Sequence, residues 1–256
     1  MKLTYVIAIA AALAIGACGT SLQTTSGADY LARYDTSYQA SDETAQAIDE
    51  DVRRIASIEP NLVFPARIGL ARIERGRLTT LPEEDARAWQ DQVEKLGTTY
   101  GEFVPVSPMI AEMVNTSSPA RSSSAAEIMA YIRRGAARQH LDYVLVYEVG
   151  ASRQEKSNAL ALADLTIIGM FVLPSRTIDV EATASGLMLD VRTGYPYATL
   201  TTHADKTGVS RAISERSTGL SYAETAKAQA VSKLARDFSD AMETLAQRAQ
   251  EDPEQG

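Results

Sequence analysis

The chain of 256 residues is poor in cysteine, histidine and basic side chains, and each shortage removes a class of function. Its single cysteine excludes an intramolecular disulfide and a cysteine-cluster zinc site. Its two histidines, His140 and His203, lack the H-E-x-x-H spacing of a zinc enzyme. Lys and Arg number 25 against 33 Asp and Glu, a net charge of −8, so no nucleic-acid partner is expected, because phosphate binding needs a basic surface. No G-x-x-x-x-G-K-[ST] or G-x-G-x-x-G loop opens a helix, and no G-x-S-x-G elbow is present. Nucleotide cofactors and an elbow serine therefore have no visible seat, and no cofactor or metal is expected. At 45% hydrophobic and 23% charged residues, the chain has the composition of a globular protein rather than a disordered or multi-span one.

What is present begins at the first residue. Lys2 gives a short positive start, Leu3 to Ile15 is apolar apart from Thr4 and Tyr5, and Ile15-Gly16-Ala17-Cys18 closes the run with small residues. About thirteen apolar residues make a secretory signal, whereas a spanning helix needs ~20. The Ile-Gly-Ala-Cys ending resembles a bacterial lipobox. That resemblance implies a signal peptide over residues 1–17, cleavage before Cys18, and acyl chains on Cys18 that hold the protein to a membrane. Each buried methylene contributes ~0.8 kcal/mol, so several chains make release negligible. Gly19, not Asp, follows the cysteine, as in lipoproteins sorted to the outer membrane. Cleavage leaves 239 residues with 24 basic and 33 acidic side chains.

Beyond Cys18 the spacing predicts a tether over 18–40, one α/β domain over 41–250 and a disordered tail over 251–256. Gly19 to Gly27 is small and polar, as in a flexible linker. Residues 41–58 read as a helix capped by Ser41, with Ala45, Ile48, Val52 and Ile55 on one face. A first strand follows over Leu62–Ile73. Thr80-Leu81-Pro82-Glu83 fits a capping box for a helix ending at Gly97. A strand at Phe103–Val106, a short helix at Pro108–Val114 and a loop from Asn115 come next. A second capping box, Ser124–Glu127, opens a helix with Ile128, Met129, Ile132 and Ala136 inward. Asp142–Val149 is β-branched and aromatic, as for a strand covered on both faces. Ser152–Asn158 reads as a loop and Ala159–Pro174 as an apolar segment. Thr177–Val191 and Tyr195–Ala204 read as a hairpin about Arg192-Thr193-Gly194, with a bulge at Ser185-Gly186 where apolar parity switches. Asp205–Gly219 reads as a loop. A third capping box at Ser221–Glu224 opens a long closing helix with Ala223, Ala226, Ala230, Leu234, Phe238, Ala241 and Leu245 on one face. This order predicts an α/β (mixed α+β) fold: one mixed sheet, flanking helices, a C-terminal antiparallel hairpin and a long closing helix.

A lipobox, a helix running into HLDYVLV (140–146), and LMLDVRTGYPYAT (187–199) before a long helix together resemble periplasmic lipoproteins of the curli-secretion type (CsgG-like) and the amino-terminal domain of TolB. Residues 142–146 and 190–194 match most closely. The resemblance implies roles in envelope assembly, secretion and protein binding, with no catalytic residue.

Five groups of residues bear on function. His203 and Asp205 stand two apart, as a base and its orienting carboxylate could, with Ser210 or Ser214 as the hydroxyl. His140, at a helix end, reads as a cap on the dipole. Asp49, Glu50 and Asp51 read as a solvated helix face. Within Ala159–Pro174, Ile167, Ile168, Met170 and Phe171 are candidates for partner or membrane contact, and only Asp164 and Thr166 are polar, so no lumen-facing side of a pore strand is visible. Arg211 and Arg216, with Lys206, leave two readings of the 205–219 loop, an ordinary solvated connection or a docking loop for an acidic partner. The expectation is an outer-membrane lipoprotein facing the periplasm, anchored through Cys18, with no enzymatic activity. It would be an accessory or scaffold that contacts an unidentified envelope protein and is able to form homo-oligomers. The alternatives are an oligomeric secretion-pore subunit inserting residues 159–174 and a periplasmic hydrolase.

Overall fold

The computed structural model describes residues 19–33, 42–116, 123–157, 176–210 and 215–251. Seven strands form one mixed sheet: β1 (Gly19–Leu22), β2 (Ala66–Glu74), β3 (Arg77–Thr79), β4 (Gly101–Pro105), β5 (Tyr143–Ser157), β6 (Arg176–Asp190) and β7 (Pro196–Ser210). The described helices are α1 (Gly27–Leu31), α2 (Glu43–Ala56), α3 (Glu83–Leu96), α4 (Pro108–Val114), α5 (Ala125–Arg138) and α6 (Glu215–Glu251). The strand order is β1-β7-β6-β5-β2-β3, and β4 pairs with the first half of β2 on the edge that β3 takes in the second half. β2, β4 and β5 are parallel; the other pairs are antiparallel. The α/β expectation therefore holds.

The sheet buries its two faces differently. On one face Ile68, Leu70, Tyr143, Leu145, Val180, Ala184, Met188 and Leu200 pack against Trp89 of α3 and Ala230, Leu234, Phe238 and Met242 of α6. On the other, Ala71, Ile73, Val144, Val146, Leu189 and Val191 pack against Ala111 of α4 and Ile128, Ile132 and Ala136 of α5. Period-two strands and period-3.6 helices produce this three-layer body directly. Beyond the end of β2, β5, β6 and β7 run on alone as a three-stranded arm. From Val149 to Ser157 it extends about 30 Å at strand rise. Among the described residues, α6 backs the arm. Its 37 residues span ~55 Å, enough to follow the whole sheet.

Several predicted boundaries need correction. The Ser152–Asn158 loop is strand as far as Ser157, and Asp205–Ser210 continues β7. Ser152, Asp205 and Thr207 are exposed, so polarity here marks a strand side that faces water rather than a loop. The expected bulge at Ser185-Gly186 is absent: pairing runs unbroken from Arg176↔Ser210 to Met188↔Ala198 and slips between Met188 and Leu189. What reads as a parity switch is the point where the second face gains cover from α5, so Leu187, Leu189 and Val191 join a core of their own. Ser221 lies inside α6, which begins six residues earlier. Thr80 does not cap α3, whose N-cap is Pro82 with no side-chain bond; Glu83, Glu84 and Asp85 supply the negative first turn. Asp42, not Ser41, caps α2, its Oδ1 accepting from Ala45 N at 2.8 Å. The Ser124–Glu127 capping box, the α4 limits and the stop at Gly97 (φ 62°) stand as read.

The tether over residues 19–27 also needs correction. Gly19–Leu22 pairs with Thr201–Ala198 of β7, and α1 starts at Gly27. The Glu59 carboxylate accepts Gly27 N (3.0 Å) and Ala28 N (2.8 Å), fixing α1 to the segment that follows α2. The free edge of β7 offered backbone partners that composition could not announce.

Candidate interaction surfaces

The two stretches behind the family resemblance face each other. Tyr143 pairs with Asp190, and Val191 N donates to Asp142 O at 2.9 Å. Asp190 is buried; its Oδ1 accepts both Arg192 N and Thr193 N at 2.7 Å, closing the turn at Gly194 (φ 80°). Arg133 of α5 donates to Val191 O (2.9 Å) and Arg192 O (2.6 Å). The D-x-R-T-G segment is thus a turn welded to a helix.

His203 stands on the open side of the arm. Its Nδ1 lies 2.9 Å from Thr183 Oγ1, so a hydroxyl on the neighbouring strand, rather than Asp205, meets that nitrogen. The same side carries Glu148, Ser152, Glu181, Ser185, Thr199 and Asp205 at exposed positions, a flat polar sheet face. Ser210 closes β7, while Ser214 lies outside the described residues. His140 is not the cap of α5: it takes a left-handed backbone (φ 57°), and Arg67 Nη1 instead donates to Gln139 O at 2.7 Å. Asp49 pairs with Arg53 (2.8 Å) and Asp51 with Arg54 (3.1 Å), while Glu50 is exposed.

Cys18, Ile167, Ile168, Met170, Phe171 and Arg211 lie outside the described residues. Arg216 falls in the first turn of α6, so the proposed docking loop is strand up to Ser210 and helix from Glu215. Lys206 lies in β7, its Nζ 5.9 Å from the Tyr222 ring centroid. β1 runs antiparallel to β7, with Gly19 at Thr201, nine residues short of the arm's end at Ser210. β5 ends and β6 begins at that same end, where Ser157 pairs with Arg176.

A buried ionic cluster went unread in the sequence. Arg72 of β2 and Asp85 of α3 are 9% and 6% exposed, with Nε and Oδ2 3.0 Å apart. Tyr147 OH donates to the same Oδ2 at 2.9 Å, and Arg72 Nη1 reaches Glu74 at 2.9 Å. Burial pushes the Asp85 carboxyl above the usual carboxylate value, against the pull of Tyr147 and Arg72. Burial, then the Asp85 charge, raises the Tyr147 phenol far above its ordinary value, so its hydroxyl remains a donor. The signal was Arg72 sharing strand parity with the buried Ile68 and Leu70. Nearby, an open groove of about 610 Å³ runs along α6, lined by Glu84, Ser221, Glu224, Thr225, Gln229 and Lys233. The cluster joins α3 to the sheet, and the open groove lies beside it between Glu84 of α3 and the outer side of α6.

The predicted apolar stripe of α2 does not face the core. Ile48 and Ile55 are 60% and 58% exposed, and no residue of α2 is buried.

No family model matches the chain, those of the curli-secretion and TolB proteins included. No curated protein matches its sequence. Among solved structures it is similar to a minor lipoprotein from Acinetobacter baumannii, at 9% identity and a TM-score of 0.35, over 70% of this chain and 95% of that one. A PelC dodecamer from Paraburkholderia phytofirmans is similar at 14% identity and a TM-score of 0.31, over 72% of this chain and 93% of that one. A hypothetical protein from Chlamydia trachomatis is similar at 12% identity and a TM-score of 0.26, over 66% and 95%. Likeness this slight assigns no role to any residue here.

Proposed function

We propose that this chain is a lipid-anchored outer-membrane protein facing the periplasm, which acts without catalysis as an accessory or scaffold through protein contacts. The observation that carries the reading is the placement of β1. The lipobox-like sequence ends at Cys18, and Gly19 is already hydrogen-bonded into the sheet edge. An acyl chain on Cys18 would therefore hold the folded sheet itself close to the membrane, near the level where Gly19 pairs with Thr201. The apolar segment 159–174, which joins β5 to β6, supplies the residues for a second membrane or partner contact.

The described part of the arm argues against a membrane-spanning hairpin. Its apolar parity, Val180, Ala182 and Ala184 with Leu200 and Ala204, is already buried in the core with α6. Its other parity is polar. No apolar side is left for lipid, as a barrel strand requires. Among the described residues no helix is long and apolar enough to cross a membrane.

The test is metabolic labelling with a palmitate analogue in cells making wild type or Cys18→Ala, followed by membrane fractionation. Label on wild type alone, with the wild type in the outer-membrane fraction and the variant soluble, supports the anchor. Label retained by Cys18→Ala, or a wild type that never sediments, overturns it. Crosslinking of the anchored protein followed by mass spectrometry then names the partner.

A further inference from the structure

Among the described residues β1 is the strand that lines the outer edge of β7, and it stops at Gly19 opposite Thr201, while β7 runs on to Ser210. One bond fixes which backbone groups face that edge. Gln23 N donates to Tyr197 O at 2.9 Å, in line with the β1 register. In an antiparallel pair every second residue exchanges both of its bonds with the residue opposite. Tyr197, Thr199, Thr201 and then His203 therefore turn N–H and C=O toward β1. The position opposite His203 is the one just before Cys18. There the two groups differ. His203 O accepts from Lys233 Nζ of α6 at 2.6 Å. No described residue stands opposite His203 N–H. At this point the edge offers a donor, and its acceptor is already filled.

That asymmetry selects what stands on the nitrogen of Cys18. A preceding residue, as in an uncut chain, brings a C=O and an N–H, and its N–H would compete with Lys233 for His203 O. A free α-amine is mostly protonated at neutral pH. It brings only donors, and a second cation beside the Lys233 ammonium. An acyl group in amide linkage brings a C=O and, where the N–H would be, hydrocarbon. Its carbonyl can accept from His203 N–H, and it asks nothing of His203 O. Of the three, it alone leaves every polar group at the edge satisfied. Such an amide forms when the neutral α-nitrogen attacks the carbonyl carbon of an acyl ester. The ester C–O bond breaks, and the proton from nitrogen leaves with the alcohol.

We infer that His203 and Lys233 form a seat for an acyl group carried in amide linkage on the α-nitrogen of Cys18. His203 N–H donates to the amide carbonyl, and Lys233 closes the acceptor that the acyl group cannot use. This rests on the anchor proposed above and adds which atom of Cys18 bears the chain at the sheet edge.

The test uses the full protein purified from membranes in detergent, from ordinary cells and from cells in which acylation of the α-amine is blocked. Tandem mass spectrometry of the first tryptic peptide, Cys18–Arg33, reads lipid on the nitrogen and on the sulfur separately. Hydrogen exchange is then followed at the His203 and Thr207 amides. Thr207 N–H faces the same edge, beyond any reach of the acyl carbonyl, and is the internal reference. The wild-type protein should carry the amide, and its His203 amide should exchange about two- to tenfold more slowly than in the free-amine protein. Thr207 should exchange alike in both. Lys233→Met, which opens His203 O, should cut the protection by at least about twofold, and Lys233→Arg should keep it. Equal exchange at His203 in the two proteins overturns the inference, as does protection that survives Lys233→Met. A lipid on the sulfur with a free α-amine in ordinary cells also overturns it and leaves the anchor standing. Cys18 without lipid on either atom sinks the anchor and the seat together.

Discussion

Replacing Tyr143 by Phe removes one oxygen that holds the entry of the chain into the sheet. Tyr143 OH accepts from Val63 N at 2.8 Å and donates to Asn61 O at 3.0 Å. Its ring sits in the core, in T-shaped contact with Tyr197 at 5.5 Å between centroids. Two neutral hydrogen bonds contribute about 1–3 kcal/mol together. Val63 is half exposed, so water will reach the freed groups, and the low half of that range applies, about 1–1.5 kcal/mol. The loss should appear first as a local one. Hydrogen exchange at the Val63 amide should speed up about tenfold at neutral pH, since 1.4 kcal/mol is a factor of ten. Amides in the centre of β5 should lose only what the global destabilisation takes. Burial raises the Tyr143 phenol, so its neutral form favours the fold. That contribution is complete below the unfolded phenol value of ~10 and is lost as pH rises through the folded one. The gap between wild type and Tyr143→Phe should accordingly narrow in alkali. Unchanged exchange at Val63, or a gap that widens above pH ~10, refutes the assigned geometry.

Three further perturbations test other joints. Asp85→Ala strips Tyr147 of its acceptor and Arg72 of a buried anion, so urea unfolding followed by Trp89 fluorescence should show a loss of about 3 kcal/mol; the loss should be non-additive with Tyr147→Phe by about 1 kcal/mol or more. Gly135→Ala would place a Cβ 2.6 Å from Ala111 Cβ and 2.9 Å from its Cα. The helix-propensity gain of ~1 kcal/mol is then outweighed by overpacking of ~1–3 kcal/mol, and the thermal midpoint should fall. Glu59→Gln should speed amide exchange at Gly27 and Ala28. The bonds from those amides hold the Glu59 carboxyl below its usual value, so its contribution is present above ~4.3 and is lost as pH falls through the folded value, where variant and wild type should converge.

The sequence was readable where local signals and tertiary demands agreed. Pro108 at the first turn of α4 and the reciprocal Ser124–Glu127 bonds at the start of α5 are contacts within a few residues. The 192–194 turn was legible because Asp190 makes its bonds two and three residues on. The misread segments depend on partners far along the chain. Gly19–Leu22 is a strand because β7, some 180 residues later, has an edge to share. The polar ends of β5 and β7 are strands because β6 lies between them. Capping-box patterns at Thr80 and Ser221 are common by chance, and only the true helix start decides among them. The Arg72–Asp85 pair joins residues on two separate elements, and its sole trace was an arginine at an inward strand position. The α2 stripe was read correctly as a stripe. Its outward orientation follows from the Asp49–Arg53 side packing on α1, which periodicity cannot express.

The conversion of the expected tether into an edge strand changes what an anchor on Cys18 would do. A flexible linker of nine residues would let the domain wander by about 17 Å, since coil dimensions grow as 5–6 Å times the square root of length. With Gly19 paired to Thr201, that freedom is gone. An acyl chain on Cys18 would then fix the bilayer near the level of Thr201 in a strand roughly 50 Å long, and would hold every copy at one tilt. The edge strand is thus the part of the fold that would turn a lipid on Cys18 from a loose tether into an orienting joint.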